Sequence, residues 1–213
     1  LTSTNVKTTM TANYIDNCFL EWTNEHDPEP GQNNELSFGG LTITGNIFTC
    51  IDVASWFRFL VIKPAGPGHF LQGLNVSGNT FKAINGNIDR VDYVDTTYAE
   101  LEMNRMRNVI FEGNAFNGVA QFVSNPVQLQ FDKNTDTKTW VCDFAGFLPF
   151  GGWARNMTAL TTEGQILDAN DVNVAALPYA EVEQGPDKDR IHLVWPQPSR
   201  GRVQMTARMD NAT

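Results

Sequence analysis

The sequence predicts an all-β protein, a solenoid of stacked coils followed by a small antiparallel β-sandwich, and three observations carry that prediction. A strand-and-corner pattern returns about every 30 residues through the first part of the chain, as the coils of a solenoid do. Short alternating runs separated by Gly and Pro fill the second part, as they do in sandwiches. Helical spacing of apolar residues is weak throughout, and only Tyr98 to Arg107 is expected to form a short helix.

The repeat consists of four segments that align without gaps: Ala12 to Phe19, Leu41 to Phe48, Leu74 to Phe81 and Val109 to Phe116. They share apolar-x-apolar-x-Gly-Asn-x-Phe, with Asp16 replacing Gly in the first copy, which stands closer to the second than the later copies do to one another. Leu41 and Ile43 alternate with Thr42 and Thr44, the period of a strand with one buried face. Gly45 then supplies a corner conformation that Asn and Asp tolerate next best. The Asn that follows brings two donors and an acceptor to the corner, so Asn17, Asn46, Asn79 and Asn114 are expected to form a ladder. Phe19, Phe48, Phe81 and Phe116 are expected to stack beside it. Second strands are read at Phe57 to Ile62, Ile88 to Val94 and Val119 to Val123.

These residues resemble the right-handed parallel β-helix proteins of the pectate-lyase superfamily, which include polysaccharide lyases, polygalacturonase-like hydrolases and bacteriophage tailspikes. The resemblance covers residues 8–131 and rests on the Gly-Asn-x-Phe corners. Residues 1–131 are therefore assigned to the β-helix. Residues 132–213, with short runs at Trp140 to Phe144, Ala159 to Thr161, Gln165 to Leu167, Tyr179 to Val182, Ile191 to Trp195 and Val203 to Met209, are assigned to the sandwich. Asp132 to Thr139 reads as a polar linker, and Pro196 to Gly201 as a turn. A following domain would cap the unpaired edges of the last coil. The chain begins at Leu1 with no initiator Met and no capping segment, and the reading expects these to be the C-terminal coils of a longer protein.

Composition excludes several function classes. With 15 Lys and Arg against 24 Asp and Glu, a net charge of -9 opposes a phosphate-tracking surface, so nucleic acid is not an expected partner. It also weighs against polyanionic sugars. No apolar run reaches the ~18 residues a membrane span requires, so membrane insertion is not expected. Cys18, Cys50 and Cys142 have neither disulfide nor zinc spacing and are read as buried free thiols. No metal or cofactor is expected. Asn75-Val76-Ser77, Asn156-Met157-Thr158 and Asn211-Ala212-Thr213 match a glycosylation sequon, but no glycan is read into them.

The hydrolases of the family that this chain resembles carry Asn-Thr-Asp, Asp-Asp, Gly-His-Gly and Arg-x-Lys signatures. Here Asn134-Thr135-Asp136 stands after the last coil, Gly68-His69-Phe70 lacks the second Gly, and the other two are missing, so those roles do not carry over. Two acidic clusters remain: Glu21, Glu25, His26 and Asp27, leading into a loop from Pro28 to Asn34, and Asp89, Asp92 and Asp95 around Arg90. The ordinary reading of each is solvated acids and a surface ion pair worth ~0–1 kcal/mol. The functional reading takes Trp22, Glu25, His26, Asp27, Asp89, Arg90 and Asp92 as carbohydrate-binding, with Glu25 and Asp27 the weak candidates for catalysis. Trp22 would stack on a sugar through its exposed ring. Trp140 and Trp195 are expected in the sandwich core, and His69 and His192 are expected to be structural.

Three functions follow. The resemblance to tailspikes implies a virion tail spike or fibre component that recognises surface polysaccharide and is non-catalytic in this chain. It also implies a homotrimer held through residues 132–213, contacts with other virion tail proteins, and apolar residues Phe147 to Phe150 and Trp153 buried between copies. The alternatives are a secreted polysaccharide lyase or glycoside hydrolase, and a bacterial surface adhesin.

Overall fold

Gly45, Gly78 and Gly113 all adopt a left-handed conformation, with φ of 65°, 64° and 64°, and each turns the chain between two strands. In the computed structural model, which describes residues 1–33 and 36–211, these corners lie one above another. The first coil contains β1 (Asn5–Thr11), β2 (Tyr14–Asp16) and β3 (Leu20–Thr23). The second contains β4 (Phe38–Thr44), β5 (Ile47–Ile51) and β6 (Leu60–Lys63), and the third β7 (Leu71–Ser77), β8 (Thr80–Ile84) and β9 (Asp92–Val94). A fourth begins with β10 (Arg107–Glu112) and β11 (Ala115–Asn117). The strands form three parallel sheets, β1-β4-β7-β10, β11-β8-β5-β2 and β3-β6-β9, so this part is a parallel β-solenoid of about three turns.

In-register stacking repeats each interior position. Met10, Ile43, Val76 and Phe111 form one column, and Ile15, Phe48, Phe81 and Phe116 another. Phe48 lies 5.0 Å from Phe81 and Phe81 lies 5.9 Å from Phe116, both nearly coplanar. Beside them runs the asparagine ladder. Asn46 donates its amide and Nδ2 to Oδ1 of Asn79 at 2.9 and 3.0 Å, and Asn79 makes the same pair of bonds to Asn114.

The first coil corrects the expected register. Asn13, not Asn17, donates to Asn46 Oδ1 at 3.0 and 2.9 Å, and Ile15, not Phe19, continues the aromatic column. Ala12, with φ of 56°, occupies the place of the corner glycine. Asn17 is left-handed too, but at the next corner, where it supports Ile51 through Oδ1. Phe19 is exposed and packs edge-on against Phe57. The ladder then repeats at 33, 33 and 35 residues. Tyr98 to Arg107 forms only a single 3-10 turn at Met103–Arg105. The second strands are also shorter than expected, and Val119 makes only an isolated bridge to Ile88.

The remaining strands form one five-stranded antiparallel sheet: β12 (Val127–Asp143), β13 (Asn156–Thr162), β14 (Leu167–Asp168), β15 (Tyr179–Gln184) and β16 (Arg190–Arg208). Each of the other four pairs with β16. Asp132 to Thr139 is therefore strand rather than linker. Its polar residues find polar partners across the ladder, with Asp132 on Arg202 at 2.5 Å and Asp136 on Arg200 at 2.7 Å. Pro196 to Gly201 does not break β16, because the register shifts opposite Thr137 and absorbs residues that cannot donate to the ladder. Trp140 and Trp195 are fully buried, 5.1 Å apart, in this sheet's core. Cys50 and Cys142 are buried, whereas Cys18 is exposed, contrary to expectation.

The two parts meet at the last coil. Phe150, in a 3-10 turn at Pro149–Gly151, sits edge-on to Phe111 at 6.3 Å and closes one end of the narrow apolar cavity of the solenoid interior. Leu148 and Phe150 are thus buried against their own chain, which removes the reason for expecting them between copies.

Candidate functional site

Trp22 is in register with Ile62 and Val94 and points inward with them. It is 1% exposed, lies 5.2 Å from Phe38, and donates its indole N–H to the Ser3 carbonyl at 2.7 Å. No sugar can stack on it. Strand alternation explains the correction: in β3 Glu21 faces out, so Trp22 faces in.

Beyond Trp22, buried polar groups pin the loop running to β4. His69 is 3% exposed, with Ser37 Oγ 3.0 Å from Nδ1 and the Pro30 carbonyl 2.6 Å from Nε2. Asn24 donates to Pro30 and accepts from Ala65 N–H. His69 is structural, as expected. Asn34, the expected end of this loop, lies outside the described residues, as do Ala212 and Thr213 of the last sequon.

Glu25 and His26 border a shallow cavity of about 410 Å³ with Pro30, Ala65 and Tyr98. Glu25 binds Lys63 Nζ at 2.8 Å, and that hydrogen bond holds its carboxyl below the ordinary range. His26 Nε2 is 3.8 Å from the same carboxylate. Asp27, with no ionic partner among the described residues, follows on the loop. A general acid needs a raised pKa, so Glu25 is unsuited to that role.

The second cluster divides. Asp89 is 77% exposed by side chain and lies 3.5 Å from Arg58. Asp92 is in register with Leu60, faces inward, and has no exposed side-chain surface. Arg90 grips it through Nη2 at 2.9 Å and Nε at 3.2 Å, and also donates to the carbonyls of Gly146 and Leu148. The Phe150 amide donates to the same carboxylate. Arg90 and Asp92 are therefore the latch that docks the 3-10 turn on the solenoid, and a charge this deeply buried is kept by its pairing.

At this latch lies a groove of about 560 Å³ between β9 with the segment that follows it and the turn at Phe150. Tyr93, 50% exposed, projects from β9 on the face opposite Asp92. Trp153 contributes a half-buried indole, with Lys188 Nζ 3.7 Å from its ring centre. Arg58, Thr96, Glu100, Leu101 and Met103 complete the working surface. Glu100 is exposed and has no cationic partner among the described residues. Arg58 Nη1 donates to the carbonyls of Ser55 and Phe57 at 2.8 and 2.7 Å. Two aromatic rings, apolar side chains and a few polar groups suit a ligand with apolar faces and hydroxyl edges. Arg90 and Asp92 form its floor. Sequence reasoning missed Tyr93, Glu100 and Trp153, the last of which reaches the other two only by the docking of the second part on the first.

Among the described residues no group of three or more His, Cys, Asp or Glu could hold a metal ion. Among the same residues no helix is long and apolar enough to cross a membrane. No family model, curated protein or solved structure matches the chain.

Proposed function

We propose that this chain is a glycan-binding module that takes sugar rings into the groove between Tyr93 and Trp153. The observation that carries the reading is that two aromatic side chains, Tyr93 and Trp153, line one groove together with Glu100 and Thr96. Aromatic faces stack on the apolar C–H surfaces of sugars, and a few polar groups fix orientation. The reading is of recognition without cleavage. Hydrolysis needs two carboxylates with separated pKa values, and Asp92, the other acid of the lining, is bound to Arg90 and the Phe150 amide. Elimination needs a free base, and both arginines of the groove are engaged.

The wider reading follows the resemblance of the corners to the pectate-lyase superfamily. In it the solenoid is right-handed, as parallel crossovers are, and the two halves of the β12–β16 hairpin form the layers of a sandwich. The module then serves a virion tail spike that meets surface polysaccharide. Three copies associate through residues 132–213, where Val172, Leu177 and Tyr179 are exposed. Light scattering at micromolar concentration tests the trimer, and a monomer mass excludes it.

Affinity electrophoresis in gels containing a polysaccharide panel tests the binding. The folded protein should be retarded by at least one polymer, and Tyr93→Ala and Trp153→Ala should each weaken retardation roughly twofold to tenfold, against ~0.5–1.5 kcal/mol per stacked aromatic pair lost. New reducing ends or unsaturated uronates formed by the wild type would replace this reading with an enzymatic one.

A further inference from the structure

We infer that the groove selects neutral glycans and turns away those bearing carboxylate or sulfate, an inference that rests on the glycan-binding reading above. Acidic sugars are held by guanidinium forks that present two free N–H groups to one anionic group. This groove has two guanidiniums, of which Arg90 is committed to buried partners and Arg58 is held through Nη1. Arg90 spends Nε and Nη2 on Asp92, and donates further to Gly146 and Leu148. Arg58 gives Nη1 to two carbonyls, and its Nη2 faces Asp89 at 3.5 Å. Moving either would leave a carboxylate or carbonyls without a donor. For Asp92, with no exposed side-chain surface, that loss is large.

The charge left in the lining is negative. With Arg90 paired to Asp92 and Arg58 facing Asp89, that charge is the carboxylate of Glu100, which is exposed and without a cationic partner among the described residues. Lys188 is stacked on the Trp153 ring and is not part of the lining. A net charge of -9 adds a long-range field of the same sign. An acidic polymer thus meets repulsion with no compensating fork. A neutral one meets two aromatic faces, the Thr96 hydroxyl, and a carboxylate that accepts hydrogen bonds from sugar hydroxyls.

The test compares retention of the full chain by neutral polymers (a β-glucan, a galactomannan, dextran) and acidic ones (polygalacturonate, a sulfated galactan) at 20 and 300 mM salt, alongside Tyr93→Ala and Glu100→Gln. We expect retention by a neutral polymer, lost in Tyr93→Ala and little changed by salt. We expect acidic polymers to be excluded by the wild type and to gain roughly threefold to tenfold in affinity with Glu100→Gln at 20 mM salt, a gain that shrinks at 300 mM as the Debye length shortens. Acidic retention stronger than neutral, and abolished by Tyr93→Ala, would overturn the selectivity while leaving the glycan site in place. Retention by no polymer, or retention indifferent to Tyr93→Ala, would overturn the glycan site itself and the selectivity with it.

Discussion

The carboxylate of Asp210 accepts the backbone amide of Val109 at 2.7 Å, where the carbonyl of a further solenoid strand would otherwise stand. Asn125 completes the substitution. Its Nδ2 donates to the Val109 carbonyl at 2.7 Å and to Asp210 Oδ1 at 2.9 Å, and its backbone exchanges two bonds with Phe111. The second part of the chain thus ends the parallel sheet with side chains in place of a strand. Both residues are fully buried, and Arg208 neutralises Asp210 through Nε and Nη2, each at 3.0 Å. An unpaired strand edge is a template for unwanted pairing, and this arrangement removes it at β10.

Replacing Asp210 tests whether the cap is needed for stability. Asp210→Ala removes one partner of a buried pair and leaves Arg208, 15% exposed by side chain, without its counter-charge. The expected loss is about 3–5 kcal/mol, read from urea unfolding. Asp210→Asn keeps an acceptor for Val109 and should lose less. Equal losses in the two variants would mean that the charge opposite Arg208, not the shape of the side chain, holds the cap.

Position along the asparagine ladder sets the cost of removing a rung. Asn79→Leu abandons the Asn46 amide and the Ile43 carbonyl in a buried corner, at ~1–3 kcal/mol for each group left unpaired. Asn13, exposed at the outer coil, donates to Asn46 but accepts from no further coil, so Asn13→Leu should cost clearly less. Equal destabilisation of the two variants would contradict the ladder.

The three later corners were legible because Gly and Asn are both demanded there, one by φ and the other by hydrogen bonding. The first was misread because Ala12 carries the left-handed conformation without announcing it, while Asp16-Asn17 imitates the motif four residues on. Composition alone also misplaces Asp132 to Thr139. Polar residues read as a linker until their partners Arg200 and Arg202, some 65 to 70 residues away, are known. Trp22 was placed outside because it adjoins acids, although strand alternation turns neighbours to opposite faces. The groove escapes any local reading, since Arg58, Tyr93, Glu100 and Trp153 come from separate segments and share no pattern.

Thiol labelling checks the burial of the cysteines. Cys18 is exposed, while burial pushes Cys142 up to about 12 and raises Cys50 above its ordinary value. The thiolate is the reactive form, so one thiol per folded chain should react with iodoacetamide at pH 8 and three in denaturant. The Cys18→Ser variant should show none on the same timescale. Rapid reaction of a second thiol would show that the Cys50 column opens.

Glu25 and Lys63 shift each other in opposite directions, and this fixes the pH range over which they hold the loop to β6. The Lys63 hydrogen bond depresses the Glu25 carboxyl below its ordinary 4.5, so its favourable contribution is present above that value and is lost as pH falls through the lowered one. The Glu25 hydrogen bond raises Lys63 above its ordinary 10.5, so its contribution is complete below 10.5 and lost only as pH rises through the raised value. Between the two this link is constant, and it should contribute equally across the neutral range. A carboxyl-carbon NMR titration should find Glu25 below the other exposed glutamates, and Lys63→Met should return it to their range. Because both groups are solvent-accessible, 1 M salt should shrink the difference in the wild type. Should Glu25 titrate alike in wild type and Lys63→Met, the 2.8 Å pair would be absent in solution, and only Asn24, Ser37 and His69 would pin the loop.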